Sequence, residues 1–222
     1  MIRQLLLIIF LIPSISAIAS PEKDYDEFVS YFENRFPDTP FEDYKNGVYS
    51  IDKSAREQWE AMEEFPPYEL NVDRGEELFN RPFKNGNTYG SCFENDGIGI
   101  RQNYPYFDTE KNKVVTLEGA LNNCRVKNGE KPLSYFKGKE LAHVSAYMAY
   151  TSRGNKFDVQ IPNTKEALDA YEDGKRLYFT KKGQLNFSCA DCHVYQTGTK
   201  LRADIPSPAI GHPTHFPVYR SG

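Results

Sequence analysis

The sequence has almost no long hydrophobic runs. The exception lies at the N-terminus, where a short start containing Arg3 precedes the uncharged stretch Leu5–Ile12 and the small residues Ala17-Ile18-Ala19. A charged start, about ten apolar residues and an Ala-x-Ala end are typical of a secretory signal peptide, and they are too short for a stable membrane span. We therefore expect residues 1–19 to direct export to the periplasm, and we expect no membrane span later in the chain.

Cysteine and histidine are also scarce, with four of each. There is a single Cys-x-x-Cys pair, no Cys–His pair at zinc-finger spacing and no βαβ pattern beside the pair, which argues against a zinc site and a thioredoxin-like dithiol. The pair is Cys189 and Cys192, and His193 follows directly. Two thiols at this spacing can add to the vinyl groups of haem, and the imidazole can bind the iron. The sequence predicts one covalent haem c, attached at Cys189 and Cys192, with His193 as an axial ligand.

The two remaining cysteines are Cys92 and Cys124. In an exported protein, an even number of cysteines outside the haem motif favours a disulfide between them. Closing a loop of about thirty residues should stabilise the fold by roughly 3–4 kcal/mol in the chain-entropy model. The alternative is a pair of free, reactive thiols.

No methionine follows residue 148, although methionine is the usual sixth ligand of an electron-transfer cytochrome c. Downstream of the haem motif, the imidazoles within the chain are His212 and His215. One hypothesis is therefore a monohaem electron carrier in which one of these histidines is the sixth ligand.

An internal repeat suggests a different sixth ligand. Segment 73–79 precedes Cys92, and segment 172–178 precedes Cys189. Each segment should be a helix whose glycine, at position 75 or 174, allows another helix to approach closely. The first copy lacks the second thiol and the histidine, so it should carry no haem. Cys124 follows Pro105 by 19 residues, and the same offset from Pro217 places an axial cysteine near position 236, beyond Gly222. On this hypothesis no catalytic residue lies within the chain.

Apolar residues at helical spacing predict the remaining elements. Two short helices, Tyr25–Phe32 and Ala55–Met62, lie in a polar N-terminal arm, residues 20–69, which should pack on a neighbour. Lys139–Met148 should close the first copy, with His143 in the core or an interface rather than on a metal. The helix of the second copy should start with a capping box of Asn163 and Glu166.

These elements predict a mainly α fold with two tandem class I cytochrome c-like domains. The first, residues 70–160, should lack haem. The second, residues 161–222, should bind haem, but its proline-rich end excludes a closing helix, so this domain should be incomplete. From Lys175 to Gly222 there are seven basic and two acidic residues, whereas the whole chain has a net charge of −4. This basic segment could attract an anion or an acidic partner.

The chain resembles the SoxA family, the A subunits of the SoxAX cytochromes of bacterial sulfur oxidation, over about residues 70–220. The resemblance lies in Gly183–Cys189, Cys192-His193, Gly211-His212-Pro213 and Phe216–Arg220 of the second half, and in Ser91-Cys92-Phe93, Asn123-Cys124-Arg125 and Ser152-Arg153-Gly154 of the first. It implies a single-haem L-cysteine S-thiosulfotransferase subunit, with Cys92 and Cys124 in a disulfide where other members hold a second haem.

The resemblance also implies a reaction and partners. Thiosulfate would be joined oxidatively to a cysteine of a SoxYZ-like sulfur-carrier protein. Electrons would pass through haem to a SoxX-like monohaem partner and on to a soluble cytochrome c. The family's axial cysteine and its basic neighbour would lie beyond Gly222. We expect no nucleic-acid partner.

Overall fold

The structure, a computed structural model, describes residues 20–202 and 204–211. This part of the chain is mainly helical, as predicted, and contains one small hairpin. The elements are α1 (Pro21–Arg35), α2 (Lys53–Met62), α3 (Glu69–Asn80), β1 (Tyr106–Asp108), β2 (Lys113–Val115), α4 (Leu117–Lys127), α5 (Glu140–Thr151) and α6 (Lys165–Phe179). No helix in these ranges is long and apolar enough to cross a bilayer. The predicted signal peptide, His212 and His215 lie outside the described residues.

The larger hydrophobic core is formed mainly by α3, α4 and α5. Leu121, Val144 and Met148 are all fully buried in it. A Cβ atom added at Gly75 of α3 would lie 2.1 Å from the carbonyl oxygen of His143 in α5. The prediction that this glycine allows close helix packing is therefore confirmed. His143 lies at this α3–α5 contact, and burial is the main cause that lowers the pKa of its imidazole.

The hairpin and α4 were not predicted from the sequence. Strands β1 and β2 pair antiparallel, with Tyr106 opposite Val115. Thr116 follows β2 and caps α4, because its hydroxyl accepts a hydrogen bond from the N–H of Gly119 at 3.1 Å. The hairpin thus leads directly into the helix that holds Cys124.

The N-terminal arm packs on the half of the chain that carries the Cys-x-x-Cys-His motif. Phe32 of α1 and Tyr44 are almost fully buried, and they form a second core with Ile210. Asp24 of α1 also forms an ion pair with Lys175 of α6, with 2.7 Å between the nitrogen and the carboxylate oxygen. The neighbour on which the arm packs is therefore part of the same chain.

Helix α6 differs from the prediction in two respects. Its N-cap is Thr164, whose hydroxyl accepts from the N–H of Ala167, so the predicted capping box at Asn163 and Glu166 is wrong. Thr164 is extended, which lets its short side chain reach the first free N–H groups of the helix. The expected close approach at Gly174 is also not found, because no other part of the described chain comes within 4 Å of a Cβ built there, apart from the adjoining residues and backbone of its own helix.

Candidate haem-attachment site

The Cys-x-x-Cys-His motif lies on a single turn of π-helix, Asp191–Tyr195, which we call the His193 turn. Cys192 and His193 are within this turn, and Cys189 lies two residues before its first residue. Ser188 and Asp191 hold the start of the turn through reciprocal hydrogen bonds. The N–H of Ser188 donates to Asp191 Oδ2 at 2.8 Å, and the N–H of Asp191 donates to Ser188 Oγ at 3.1 Å. This arrangement satisfies N–H groups that the first turn of a helix would otherwise leave free.

The thiols of Cys189 and Cys192 are both free, the first exposed and the second partly buried. Tyr178 of α6 lies beside them. Burial, followed by the electrostatic influence of Cys189 and Cys192, raises the pKa of the Tyr178 phenol to about 12. The hydroxyl therefore stays protonated at neutral pH. Two free thiols three positions apart at the start of a helical turn are suited to forming two thioether bonds to one haem.

The imidazole of His193 is oriented by the segment that follows the motif. Its Nδ1 atom lies 3.0 Å from the carbonyl oxygen of Ser207, and Ser207 is fully buried. Because a carbonyl oxygen can only accept, Nδ1 carries the proton, and Nε2 is the nitrogen that would coordinate iron. The N–H of Ala209 also donates to the carbonyl oxygen of His193 at 2.9 Å. The side chain and the backbone of His193 are thus held by the same short segment.

The surroundings of the His193 turn suit a large apolar group. Between residues 177 and 195 the structure leaves five large apolar side chains exposed, namely Leu177, Phe179, Leu185, Phe187 and Tyr195. Concentrated apolar exposure of this kind marks a ligand or interaction site in a soluble protein. In the described residues no cluster of three or more His, Cys, Asp or Glu side chains is arranged to hold a bare metal ion. The donor set and its surroundings therefore fit a covalently attached haem.

Cys92 and Cys124 are joined by a disulfide with a Cα–Cα distance of 5.8 Å. Asn128 supports this bridge, because its amide nitrogen donates to the Cys124 carbonyl at 2.9 Å and lies 3.4 Å from Cys92 Sγ. The amides of Asn85 and Asn87 in turn donate to Asn128 Oδ1. Sequence reasoning missed these asparagines, because they come from two loops about forty residues apart.

Comparison with known proteins shows consistent similarity to one family. Residues 74–157 match the family model described as the SoxA/TsdA cytochrome c domain. The chain is 54% identical over 200 residues to the L-cysteine S-thiosulfotransferase subunit SoxA of Chlorobaculum tepidum, covering 90% of this chain and 69% of that protein. It is 52% identical over 204 residues to the SoxA subunit of Allochromatium vinosum, covering 91% of this chain and 72% of that protein.

A solved structure shares the fold. The crystal structure of SoxXA from P. pantotrophus matches with a TM-score of 0.57 and 28% sequence identity. The match covers 68% of this chain and 58% of the chain in that structure. The similarity therefore extends over most of the chain in sequence and over about two thirds of it in structure.

Proposed function

The chain belongs to the SoxA family of L-cysteine S-thiosulfotransferase subunits, and from this we propose that it is the haem c-bearing subunit of a periplasmic thiosulfate-oxidising complex. The observation that supports this function most directly is the geometry of the motif. Two free thiols, Cys189 and Cys192, adjoin an imidazole whose Nδ1 is bound by the Ser207 carbonyl. In this proposal Cys189 and Cys192 hold one haem covalently, and His193 ligates its iron through Nε2.

The proposed domain arrangement follows from the repeat. Residues 70–160 form a cytochrome c-like domain without haem, in which the Cys92–Cys124 disulfide occupies the place of a haem site. Residues 161–222 form the haem-bearing domain, and residues 1–19 act as the export signal. The open surface at Gly174, which contrasts with the closely packed Gly75, supports the view that the second domain lacks a closing helix in the described residues.

The proposed reaction joins thiosulfate to a cysteine of a sulfur-carrier protein. One S–S bond forms between the carrier sulfur and the outer sulfur of thiosulfate, and the carrier thiol loses its proton. Carrier thiol plus thiosulfate dianion thus gives the S-thiosulfonate anion, one proton and two electrons. Bound haem c supplies a one-electron redox centre at this site. The electrons are accepted by a SoxX-like monohaem cytochrome and then by a soluble cytochrome c.

The charge of the haem-motif half suits an anionic substrate. Lys181, Lys182, Lys200 and Arg202 are all exposed, and Lys181 lies 3.4 Å from Asp191 at the start of the His193 turn. A positive surface of this kind raises the local concentration of a dianion such as thiosulfate. The sixth ligand in this proposal is a cysteine thiolate near position 236, so it is supplied by sequence that follows Gly222.

Electron paramagnetic resonance of the oxidised holoprotein tests the proposal. The protein should be expressed with haem-maturation machinery from a gene that continues past codon 222. We expect a low-spin histidine–thiolate signal, which is lost when the cysteine near 236 is replaced by serine. Substitution of His212 or His215 should leave that signal unchanged. A bis-histidine signal that disappears in either histidine variant would instead show an electron carrier.

A further inference from the structure

The N-terminal arm reaches the His193 turn through Arg35, the last residue of α1. We infer that Arg35, supported by Tyr31, is a positioning residue for the proposed iron ligand His193 and so sets the redox potential of the haem. This inference rests on the haem site proposed above. It assigns a role to residues that lie about 160 positions before the motif and that contribute no ligand or thioether themselves.

Arg35 binds the carbonyl groups at the end of the His193 turn. One terminal nitrogen of its guanidinium donates to the carbonyl oxygens of Tyr195 at 3.0 Å and Thr197 at 2.9 Å. The other terminal nitrogen donates to the hydroxyl of Tyr31 at 3.0 Å. That hydroxyl donates in turn to the carbonyl oxygen of Val194 at 3.3 Å. Three carbonyl groups within four residues of His193 are thus bound by two side chains of the arm.

These carbonyl groups need partners because the turn ends there. The last carbonyl groups of a helix accept no hydrogen bond from an N–H group of the helix itself, so side chains, water or capping turns must satisfy them. Thr197 is only 2% exposed, which limits access of water to this end of the turn. A cation at a helix C-terminus is also favoured by the helix dipole. The arm therefore completes the structure that carries His193.

An arginine suits this position better than a lysine. Its planar guanidinium presents several N–H groups at fixed angles, so one side chain can bind two carbonyl oxygens and a hydroxyl at the same time. The guanidinium carbon also lies 5.6 Å from the ring centre of Phe36 and 6.0 Å from that of Tyr31, within cation–π range. Lysine would keep the charge but lose this geometry.

The arm also holds the segment on the other side of His193. Ile210, which follows the residues that bind His193, packs against Phe32 and Tyr44 of the arm. A Cβ atom at Gly211 would lie 2.4 Å from the Tyr44 carbonyl oxygen, so the two backbones are in close contact. The Ser207 carbonyl that binds Nδ1 and the carbonyl groups after His193 are therefore anchored to the same arm.

Outer-shell hydrogen bonds of this kind set the orientation and donor strength of a metal-bound imidazole, and with them the potential of a haem. A more mobile imidazole is a poorer donor to ferric iron, so loosening the anchor should raise the midpoint potential. Loss of a positive charge near the haem has the opposite effect, because it favours the ferric state. Arg35→Lys keeps the charge, which separates these two causes.

The test compares R35K, R35A and Y31F in the full haem-bearing protein. The matched control is R176K, because Arg176 lies in the same half of the chain, its side chain is 74% exposed and it pairs with Asp173 on the same helix. Two quantities should be measured, namely the haem midpoint potential by spectroelectrochemical titration and the exchange rate of the Ala209 amide, which donates to His193. Haem content is determined first for each protein.

We expect R35K and Y31F to raise the midpoint potential and R176K to leave it unchanged. The Ala209 amide should exchange at least tenfold faster in R35A than in the wild type. If R35A does not fold, R35K and Y31F decide the question. A wild-type potential in both R35K and Y31F, or an equal shift in R176K, would overturn the inference while the haem site stands. Failure of the wild type to bind haem would instead overturn the proposed function and this inference with it.

Discussion

Replacing Gly75 by alanine should force α3 away from α5. The new Cβ atom would lie 2.1 Å from the His143 carbonyl oxygen and 2.8 Å from the Cβ of Tyr147. Non-bonded heavy atoms rest about 3.5 Å apart, so the backbone of α5 would have to withdraw by about 1.4 Å. The obstacle is backbone rather than the end of a flexible side chain, so a change of rotamer does not relieve it.

The magnitude follows from two opposing terms. Overpacking a close contact typically costs about 1–3 kcal/mol or more. Alanine recovers at most about 1 kcal/mol, because glycine is a poor residue for a helix interior. Because the clash is with backbone, the cost should lie at the upper end of that range. We therefore expect a net loss of about 2 kcal/mol in the free energy of unfolding, which for a chain of this length is a fall in Tm of roughly 4–8 °C.

The matched control is Gly174→Ala, at the equivalent position of the repeat. In the described residues no other element comes within 4 Å of a Cβ there, so only the helix-propensity term applies. This variant should be stabilised by up to about 1 kcal/mol. Urea unfolding of the haem-bearing protein, followed by far-ultraviolet circular dichroism, measures the stability of both variants. The reasoning is refuted if Gly75→Ala unfolds within about 0.5 kcal/mol of the wild type.

Three further predictions concern the disulfide, the haem attachment and the arm. The double variant C92A/C124A should lose roughly 3–4 kcal/mol of unfolding free energy in urea, because the bridge closes a loop with a sequence separation of 32; equal stability of the wild type with and without dithiothreitol would contradict this. In C189S/C192S the haem should no longer co-migrate with the polypeptide on a denaturing gel stained for haem, whereas the exposed-surface variant R81K, which pairs with Glu77, should retain it. Burial disfavours the charge of Asp24, but hydrogen bonds from Lys175 and Tyr171 outweigh it and hold the pKa of this carboxyl below its ordinary value of 3.8. Asp24→Asn should therefore lower the free energy of unfolding by about 1 kcal/mol at pH 7. The interactions that lower this pKa stabilise the protein only while the carboxyl is ionised. The difference in unfolding free energy between the wild type and Asp24→Asn should therefore disappear as the pH falls below 3.8 through the folded pKa, and a difference that persists at pH 2 would contradict the assignment.

The sequence by itself determined the chemistry that is local along the chain. Cys189, Cys192 and His193 lie within a run of five positions, so their spacing alone indicates haem attachment. The same is true of the helices, because α1, α2, α5 and α6 follow from apolar spacing over one or two turns. The Cys92–Cys124 pair followed from counting, since two cysteines remained after the haem motif had taken the others.

Tertiary structure decided what depends on contacts between distant segments. Gly75 and Gly174 stand at equivalent positions of a repeat, yet a helix packs on the first and none of the described residues packs on the second. Arg35 reaches Thr197 across a sequence separation of 162, and Ser207 reaches His193 by folding back over the motif. Such pairings depend on how whole helices pack, and no local propensity or spacing encodes them, because each of these residues is an ordinary choice in its own segment.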